Sequence, residues 1–264
     1  MSTPPPTPIP IPKSTHLHYL RACLSLAKQS PPKPTNFRVG AILLARHQPP
    51  TTTTTTTTMP TTSPDDAPHL STDTILSTGY TLELPGNTHA EQCALAKYAA
   101  AKGVSEERVG QVLPPPTTAV GDSGRPQIVL YVTMEPCGLR LSGNLPCVQR
   151  IIRTREVAGT DIDTNAQVGA GGGRRGIDKV YFGVKEPGTF VGGSVGCRMM
   201  DEAGVEWEVV SGLEEEILEV AMAGHERGEG EEVVVDIENI SDEERRRQEG
   251  LPRNPKKRMM EADV

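Results

Sequence analysis

Two short stretches, far apart in the chain, hold residues of the types that bind a metal and move protons. The first reads Gly86-Asn87-Thr88-His89-Ala90-Glu91; the second reads Glu135-Pro136-Cys137 and, after nine residues of which Pro146 is the last, Cys147. His89, Cys137 and Cys147 offer one imidazole and two thiolates, a donor set suited to Zn2+. Three protein ligands leave the fourth tetrahedral position to water, which is the ligand count of a catalytic rather than a structural zinc. A water on zinc ionises near pH 7 or so, about nine units below bulk water. Glu91 stands two residues from His89, close enough to exchange protons with that water without being counted as a ligand.

His-x-Glu combined with Pro-Cys and a second cysteine is the pattern used to replace an exocyclic amine on a pyrimidine or purine ring by hydrolysis. One carboxylate can serve twice in that reaction. Glu91 takes one proton of the water and delivers it to the ring nitrogen, then carries the second, from the hydroxyl of the adduct, to the leaving amine, in successive steps. Each half of the pattern alone is weak: a lone His-x-Glu is usually a solvated helix start, and two cysteines ten apart are usually unrelated buried thiols. Their conjunction, each half at a turn that opens a helix, outweighs both bland readings. Cys23, Cys93 and Cys197 read as buried apolar residues.

The elements that must place these side chains alternate. Leu17, Leu20, Cys23, Leu24 and Ala27 fall at helical spacing, which predicts a helix over His16–Lys28 ended by Pro31 and Pro32. Strands are predicted at 37–44, with Gly40 permitting close backbone approach, and at 74–81, joined as a hairpin. Thr88 or Asn87 is expected to cap a helix over His89–Lys102. The run 127–133 is continuously apolar and belongs in the centre of a sheet. Pro146 opens a helix that continues through Cys147–Arg153. Strands at 178–184 and 205–210, and helices at 194–203 and 217–225, complete an order of helix, hairpin, then repeated helix and strand. Such alternation implies a sheet covered on both faces.

The chain has 264 residues, 36% hydrophobic and only 3% aromatic, values low for a chain packed throughout. A compact core with additions is therefore expected: a proline-rich leader over 1–14, a zinc domain over 15–225, and a charged tail over 226–264. Insertions are expected at about 46–73, which contains eight consecutive threonines, and at about 104–126 and 154–177. Loop closure costs only about 0.6 kcal/mol per doubling of length, so insertions of this size are tolerable. A net charge of -7 without a basic stripe weighs against duplex nucleic acid as a partner. Five cysteines, an odd number in a chain this long, weigh against a disulfide framework and for a reducing compartment. No apolar run approaches the roughly 18 residues of a membrane-spanning helix. The expected location is the cytoplasm, with the nucleus as the alternative.

From about His16 to His225 the chain also resembles the cytidine-deaminase-like superfamily, and within it the deaminase of the fungal riboflavin pathway. The stretches that carry this are NFRVGAIL (36–43), STGYTLELPGNTHAEQCAL (77–95), LYVTMEPCGLRLSGNLPC (130–147), GVKEPGTF (183–190) and the helix from Glu214 to Gly224-His225. The resemblance implies a three-layer α/β/α sandwich on a mixed five-stranded sheet, a Zn2+ cofactor, and hydrolytic deamination of 2,5-diamino-6-(ribitylamino)-4(3H)-pyrimidinone 5'-phosphate. It makes His89, Cys137 and Cys147 the zinc ligands and Glu91 the proton shuttle. Asn36 would touch the base, and Arg140, Ser142 and Asn144 would stand at the pocket mouth, where the phosphate is met. Gly138 departs from the serine or threonine usual at that position. No dinucleotide-binding motif follows a strand, so a stand-alone deaminase is expected, compatible with a homo-oligomer. The competing readings are a cytidine, deoxycytidylate or tRNA-base deaminase and, in another class, a zinc-stabilised binding module without catalysis. The long spacing between the cysteines and the acidic charge argue against the first, and the presence of Glu91 argues against the second.

Overall fold

The computed structural model describes residues 11–47, 73–114, 126–140, 143–156, 176–186 and 195–225. In order, these form α1 (Lys13–Ala27), β1 (Gly40–Arg46), β2 (Asp73–Tyr80), α2 (Ala90–Ala101), a 3-10 turn (Glu106–Arg108) running into α3 (Val109–Val112), β3 (Gln127–Met134), α4 (Cys147–Glu156), β4 (Lys179–Val184), α5 (Val195–Glu202), β5 (Glu206–Val209) and α6 (Glu214–Met222). The strands make one sheet in the order β2-β1-β3-β4-β5. β1 runs antiparallel to both β2 and β3, while β3, β4 and β5 are parallel. This is the expected mixed five-stranded sheet.

Every residue of β1 is buried, and so is every residue of β3 after the first, because helices cover both faces. Alternate residues of β3 divide between two cores. Ile128, Leu130 and Val132 meet Leu95, Tyr98, Val148, Ile151 and Met200 from α2, α4 and α5. Val129, Tyr131 and Met134 meet Leu20, Cys23, Leu24, Ile217 and Ala221 from α1 and α6. The continuous apolar run of β3 thus serves two layers at once, as in a sheet buried on both sides. Gly40 lets β1 pass under α1: a Cβ there would lie 1.9 Å from the Cys23 carbonyl oxygen.

The structure departs from the sequence reading mainly at element ends. α1 begins at Lys13 rather than His16, behind Pro12 in the position before the first helical residue. Phe37, Arg38 and Val39 lie outside β1, because the Arg38 and Val39 amides donate to the Ala221 carbonyl and the Thr81 hydroxyl instead of a neighbouring strand. α6 starts three residues early, taking Glu214–Glu216 as its first turn. The stretch 104–126, read as an insertion, is helical over 106–112, and Val109 and Leu113 are buried in the core. The polar residues around them had masked that contribution. Thr51–Thr58, the leader as far as residue 10 and the tail from 226 lie outside the described residues.

The neck of the β1–β2 hairpin is fixed by charge. Arg46 and Asp73 are the last register pair, their ion pair measures 2.8 Å, and Tyr19 donates to Asp73 at 3.0 Å. Arg46 also donates to the Tyr131 hydroxyl, 3.2 Å away, so that hydroxyl gives its own proton to His16 Nδ1 at 2.7 Å. Burial pushes His16 down to about 4, which keeps it the neutral acceptor this arrangement requires. Removing Asp73 would leave a buried guanidinium uncompensated. Asp73→Ala should lower unfolding stability by about 3–5 kcal/mol in urea titration; a loss under about 1 kcal/mol would show that the neck is held by the strand ladder alone.

Candidate metal centre and active site

Two strand-to-helix passages converge to form the site. Residues 81–89 lead from β2 into α2, and residues 135–146 lead from the end of β3 into α4. Both deliver side chains beside the central strand, the usual position for a site in an α/β layer. The first passage is shaped by its backbone. The Leu82 amide donates to the Thr88 carbonyl at 2.8 Å, and the Thr88 hydroxyl donates to the Leu84 carbonyl at 3.0 Å. α2 starts at Ala90, and His89 itself occupies the cap position with no side-chain cap. Capping by Thr88 or Asn87, expected from the sequence, does not occur, because both side chains are engaged elsewhere.

His89, Cys137 and Cys147 present their ligand atoms within 4.8 Å of one another. His89 Nδ1 lies 3.5 Å from Cys137 Sγ and 3.4 Å from Cys147 Sγ. A tetrahedral zinc with bonds of about 2.3 Å to sulfur and 2.0–2.1 Å to nitrogen would separate such atoms by about 3.5–3.6 Å. The donor set and its spacing therefore fit Zn2+ through Nδ1 and both sulfurs, and the cofactor expected from the sequence has its site. The first turn of α4 wraps Cys137: the Cys147 amide points at its sulfur at 3.4 Å, and the Val148 amide donates to its carbonyl at 3.2 Å. A helix N-terminus with amides directed at a sulfur favours the thiolate. The Cys137 thiol is held down to about 4, chiefly by its bond with Cys147 and then by His89, against the opposing effect of burial. Burial and the Cys137 partner push the Cys147 thiol up. Both sulfurs bind a metal as thiolates, so metal binding draws a proton from Cys147.

Glu91 lies in the first turn of α2 and is only 3% exposed. Burial, then the Cys137 charge, raises its pKa above the ordinary carboxylate range. Such a carboxyl is better suited to accepting and returning a proton near neutral pH than a solvated glutamate. The structure brings Asn36 and Arg140 to the same place. Asn36 Nδ2 donates to Asn87 Oδ1 at 2.7 Å. Arg140 donates to the Asn87 carbonyl at 2.6 Å and to Gln92 Oε1 at 3.3 Å, so it bridges the two passages. Asn144 is buried between the two ligand cysteines in the chain. Ser142 lies outside the described residues. A Cβ on Gly138 would lie 2.7 Å from the Gly196 amide nitrogen, so the missing hydroxyl at this position goes with the close seating of α5 on the ligand turn.

Several supporting residues were not singled out in the sequence. Glu135 is buried in front of Pro136-Cys137; its amide donates to the Val184 carbonyl at 2.8 Å, and Cys197 Sγ donates to its carboxylate at 3.6 Å. It ties the ligand turn to β4 and α5. Arg150 of α4 donates to the Leu145 carbonyl at 3.2 Å, holding the loop between the cysteines, and pairs with Glu106. An arginine in an otherwise amphipathic helix gave no signal of this, since surface arginines are common there. Asn87, which joins Asn36 to Arg140, had been read only as a helix cap.

A family model of the cytidine and deoxycytidylate deaminase zinc-binding region matches residues 67–159, a span holding the three ligands and Glu91. Site and fold together define a zinc deaminase of the cytidine-deaminase-like class. The Rib2 deaminase of Aspergillus oryzae, solved as a C-terminal deletion mutant, is 53% identical over 80% of this chain and 92% of that one, with a TM-score of 0.59. The same relative in complex with DARIPP is 54% identical, with the same coverage and TM-score. The chain belongs to the Rib2 deaminase family. The diaminohydroxyphosphoribosylamino-pyrimidine deaminase of Schizosaccharomyces pombe is 25% identical over 210 residues, and the chain spans 36% of that relative's length. No helix among the described residues is long and apolar enough to cross a membrane.

Zinc uptake by the apo protein at pH 7 should release more than one proton per chain, read with a pH indicator in weak buffer, because Cys147 must ionise to bind and the metal-bound water is itself partly ionised at that pH. Cys137→Ala and Cys147→Ala should each lose the stoichiometric zinc. Full occupancy in either variant would remove that residue from the ligand set.

Proposed function

We propose that this chain hydrolyses the exocyclic C–N bond of a phosphorylated aminopyrimidine, and that its substrate is 2,5-diamino-6-(ribitylamino)-4(3H)-pyrimidinone 5'-phosphate. The observation that carries the reading is a buried glutamate, Glu91, beside a ligand set with His89 Nδ1 at 3.4–3.5 Å from both sulfurs. Identity of 53% to a Rib2 deaminase over 92% of that chain supports the substrate class. Held by His89, Cys137 and Cys147, zinc would supply a water acidic enough to attack at neutral pH. Glu91 accepts the first proton of the attacking water and passes it to the ring nitrogen, then takes the hydroxyl proton of the adduct and passes it to the departing amine, which leaves as ammonia. Asn36, fixed through Asn87, presents an amide to the base edge. Asn144 belongs to the same loop as Arg140, Ser142 is assigned to the mouth by the resemblance alone, and Arg140 meets the phosphate. Two of the five N–H groups of Arg140 are committed to Asn87 and Gln92, which immobilises the guanidinium and leaves donors for a phosphate oxygen. An odd number of cysteines in a chain this long supports a reducing compartment, and we place the protein in the cytoplasm.

Ammonia release from a panel of aminopyrimidines tests the substrate. The phosphorylated ribitylamino-diaminopyrimidinone should be deaminated, with cytidine and cytosine poor. Preference for cytidine would overturn the assignment. Glu91→Gln should keep its zinc and lose about 10²–10⁴ in turnover, the usual value of a positioned acid–base group; turnover near that of the unsubstituted chain would dismiss Glu91 as the shuttle.

Arg140→Ala, with zinc content checked first, should narrow the preference for the phosphorylated substrate over its dephosphorylated analogue by roughly ten- to a hundredfold, the worth of one charge-assisted hydrogen bond. An unchanged preference would assign the phosphate to another cation.

A further inference from the structure

The loop carrying Asn36 has its support at the other end of the chain. Arg38 donates its backbone amide to the Ala221 carbonyl at 3.1 Å, and its guanidinium holds the loop's own Ser30 and Lys28 carbonyls at 2.8 and 2.6 Å. After α6 ends, Gly224 turns the backbone at φ +96 directly against the loop, where a Cβ would meet the Lys33 amide nitrogen at 2.8 Å. That turn delivers His225. Its ring stacks on Phe37, with centroids 4.9 Å apart and planes 11° from parallel, and its Nε2 lies 3.1 Å from the Asn36 carbonyl oxygen. A carbonyl only accepts, so Nε2 carries the hydrogen and donates.

His225 therefore grips residues 36 and 37 together, one through the backbone and one through the ring. The Asn36 side chain, on the opposite side of the same residue, has both ends engaged: Oδ1 accepts from the Thr35 hydroxyl at 2.8 Å, and Nδ2 donates to Asn87 at 2.7 Å. Asn87 in turn receives Arg140. A continuous set of bonds thus runs from the turn after α6 through Asn36 to the residue two before the metal ligand His89. We propose that His225 is a positioning residue of the active site, fixing the backbone of Asn36 so that its amide is presented to the base. The proposal rests on the deaminase reading above, and on Asn36 as the base contact within it.

The test uses the full chain, zinc-loaded. His225→Phe keeps the stack on Phe37 and removes the donor. It should retain zinc and melting temperature while raising KM for the phosphorylated ribitylamino-diaminopyrimidinone about fivefold, the scale of one neutral hydrogen bond, with a smaller change in kcat. His225→Gln, which restores an N–H donor, should recover part of that rise. In an Asn36→Ala background the His225→Phe change should add nothing further, because the residue through which it acts is gone. An unchanged KM in His225→Phe, or an undiminished rise in the Asn36→Ala background, would overturn the proposal. The side-chain amide resonance of Asn36 in ¹⁵N-labelled protein gives a readout independent of turnover: it should shift in His225→Phe, and its failure to move would also overturn the proposal. A chain that turns over none of the aminopyrimidines yet shows the shift would sink the functional reading and leave the coupling standing.

Discussion

Two buried thiols and an imidazole from distant parts of the chain are held within bonding distance of a single point, and most of the surrounding structure serves that constraint. Such an arrangement is unfavourable on its own. Two sulfurs beside a buried carboxylate bring like charges together in a region of low polarity, and the rise in the Glu91 and Cys147 pKa values records that cost. A divalent cation reverses the sign of the problem, since each ligand charge is then attracted rather than repelled. The helix N-termini at Ala90 and Cys147 act in the same direction. The metal can join His89 to Cys137 and Cys147 only because the sheet has already brought the start of α2 and the end of β3 together. Folding and metal binding are therefore coupled here, as in other proteins whose ligands come from separate elements.

Around the ligands lies a layer of polar side chains, and each ties one loop to another. Arg140 bridges the passage after the Cys137 turn to the one before His89. Glu135 joins the ligand turn to β4 and α5, and Arg150 braces the loop between the two cysteines against Glu106. A buried polar group is costly unless paired, so these residues favour one arrangement of the loops over its alternatives. A metal site shaped in this way depends on residues well beyond its ligands.

Much of this was legible in the sequence, and for physical reasons. Residues 127–133 could only be a strand buried on both faces, and Leu17 to Ala27 only an amphipathic helix, because burial leaves a periodic mark. The zinc ligands were legible because few residue types bind zinc and their spacing is restrictive. Other features leave no periodic mark. The helical turn at 106–112 contributes Val109 and Leu113 from a background of charge and glycine. Glu135, Arg150 and His225 act through partners 62, 44 and 189 residues away in sequence, and no local pattern announces such pairs. Arg140 is named by the resemblance, but its bonds to Asn87 and Gln92 follow only from the fold.

The charges at the site also restrict how an anionic substrate can lie in it. Zinc contributes two positive charges, the two thiolates two negative ones, and an ionised Glu91 one more, which leaves the metal end slightly negative before Arg140 is counted. Glu186 lies near enough for its carboxyl to be pushed up to about 7, by burial first and then by the charges of Cys137, Glu135 and Glu91. A carboxyl so raised is partly protonated at neutral pH, which limits further build-up of negative charge. Even so, a phosphate placed beside the thiolates would meet repulsion in a poorly screened environment. An uncharged ring would not. The proposed orientation, with the base at the metal and the phosphate out at Arg140, is the one in which the charge on each part of the substrate meets a favourable field. In the proposed substrate the ribityl chain separates the two, which would let one residue set do chemistry on a neutral ring while another meets a dianion.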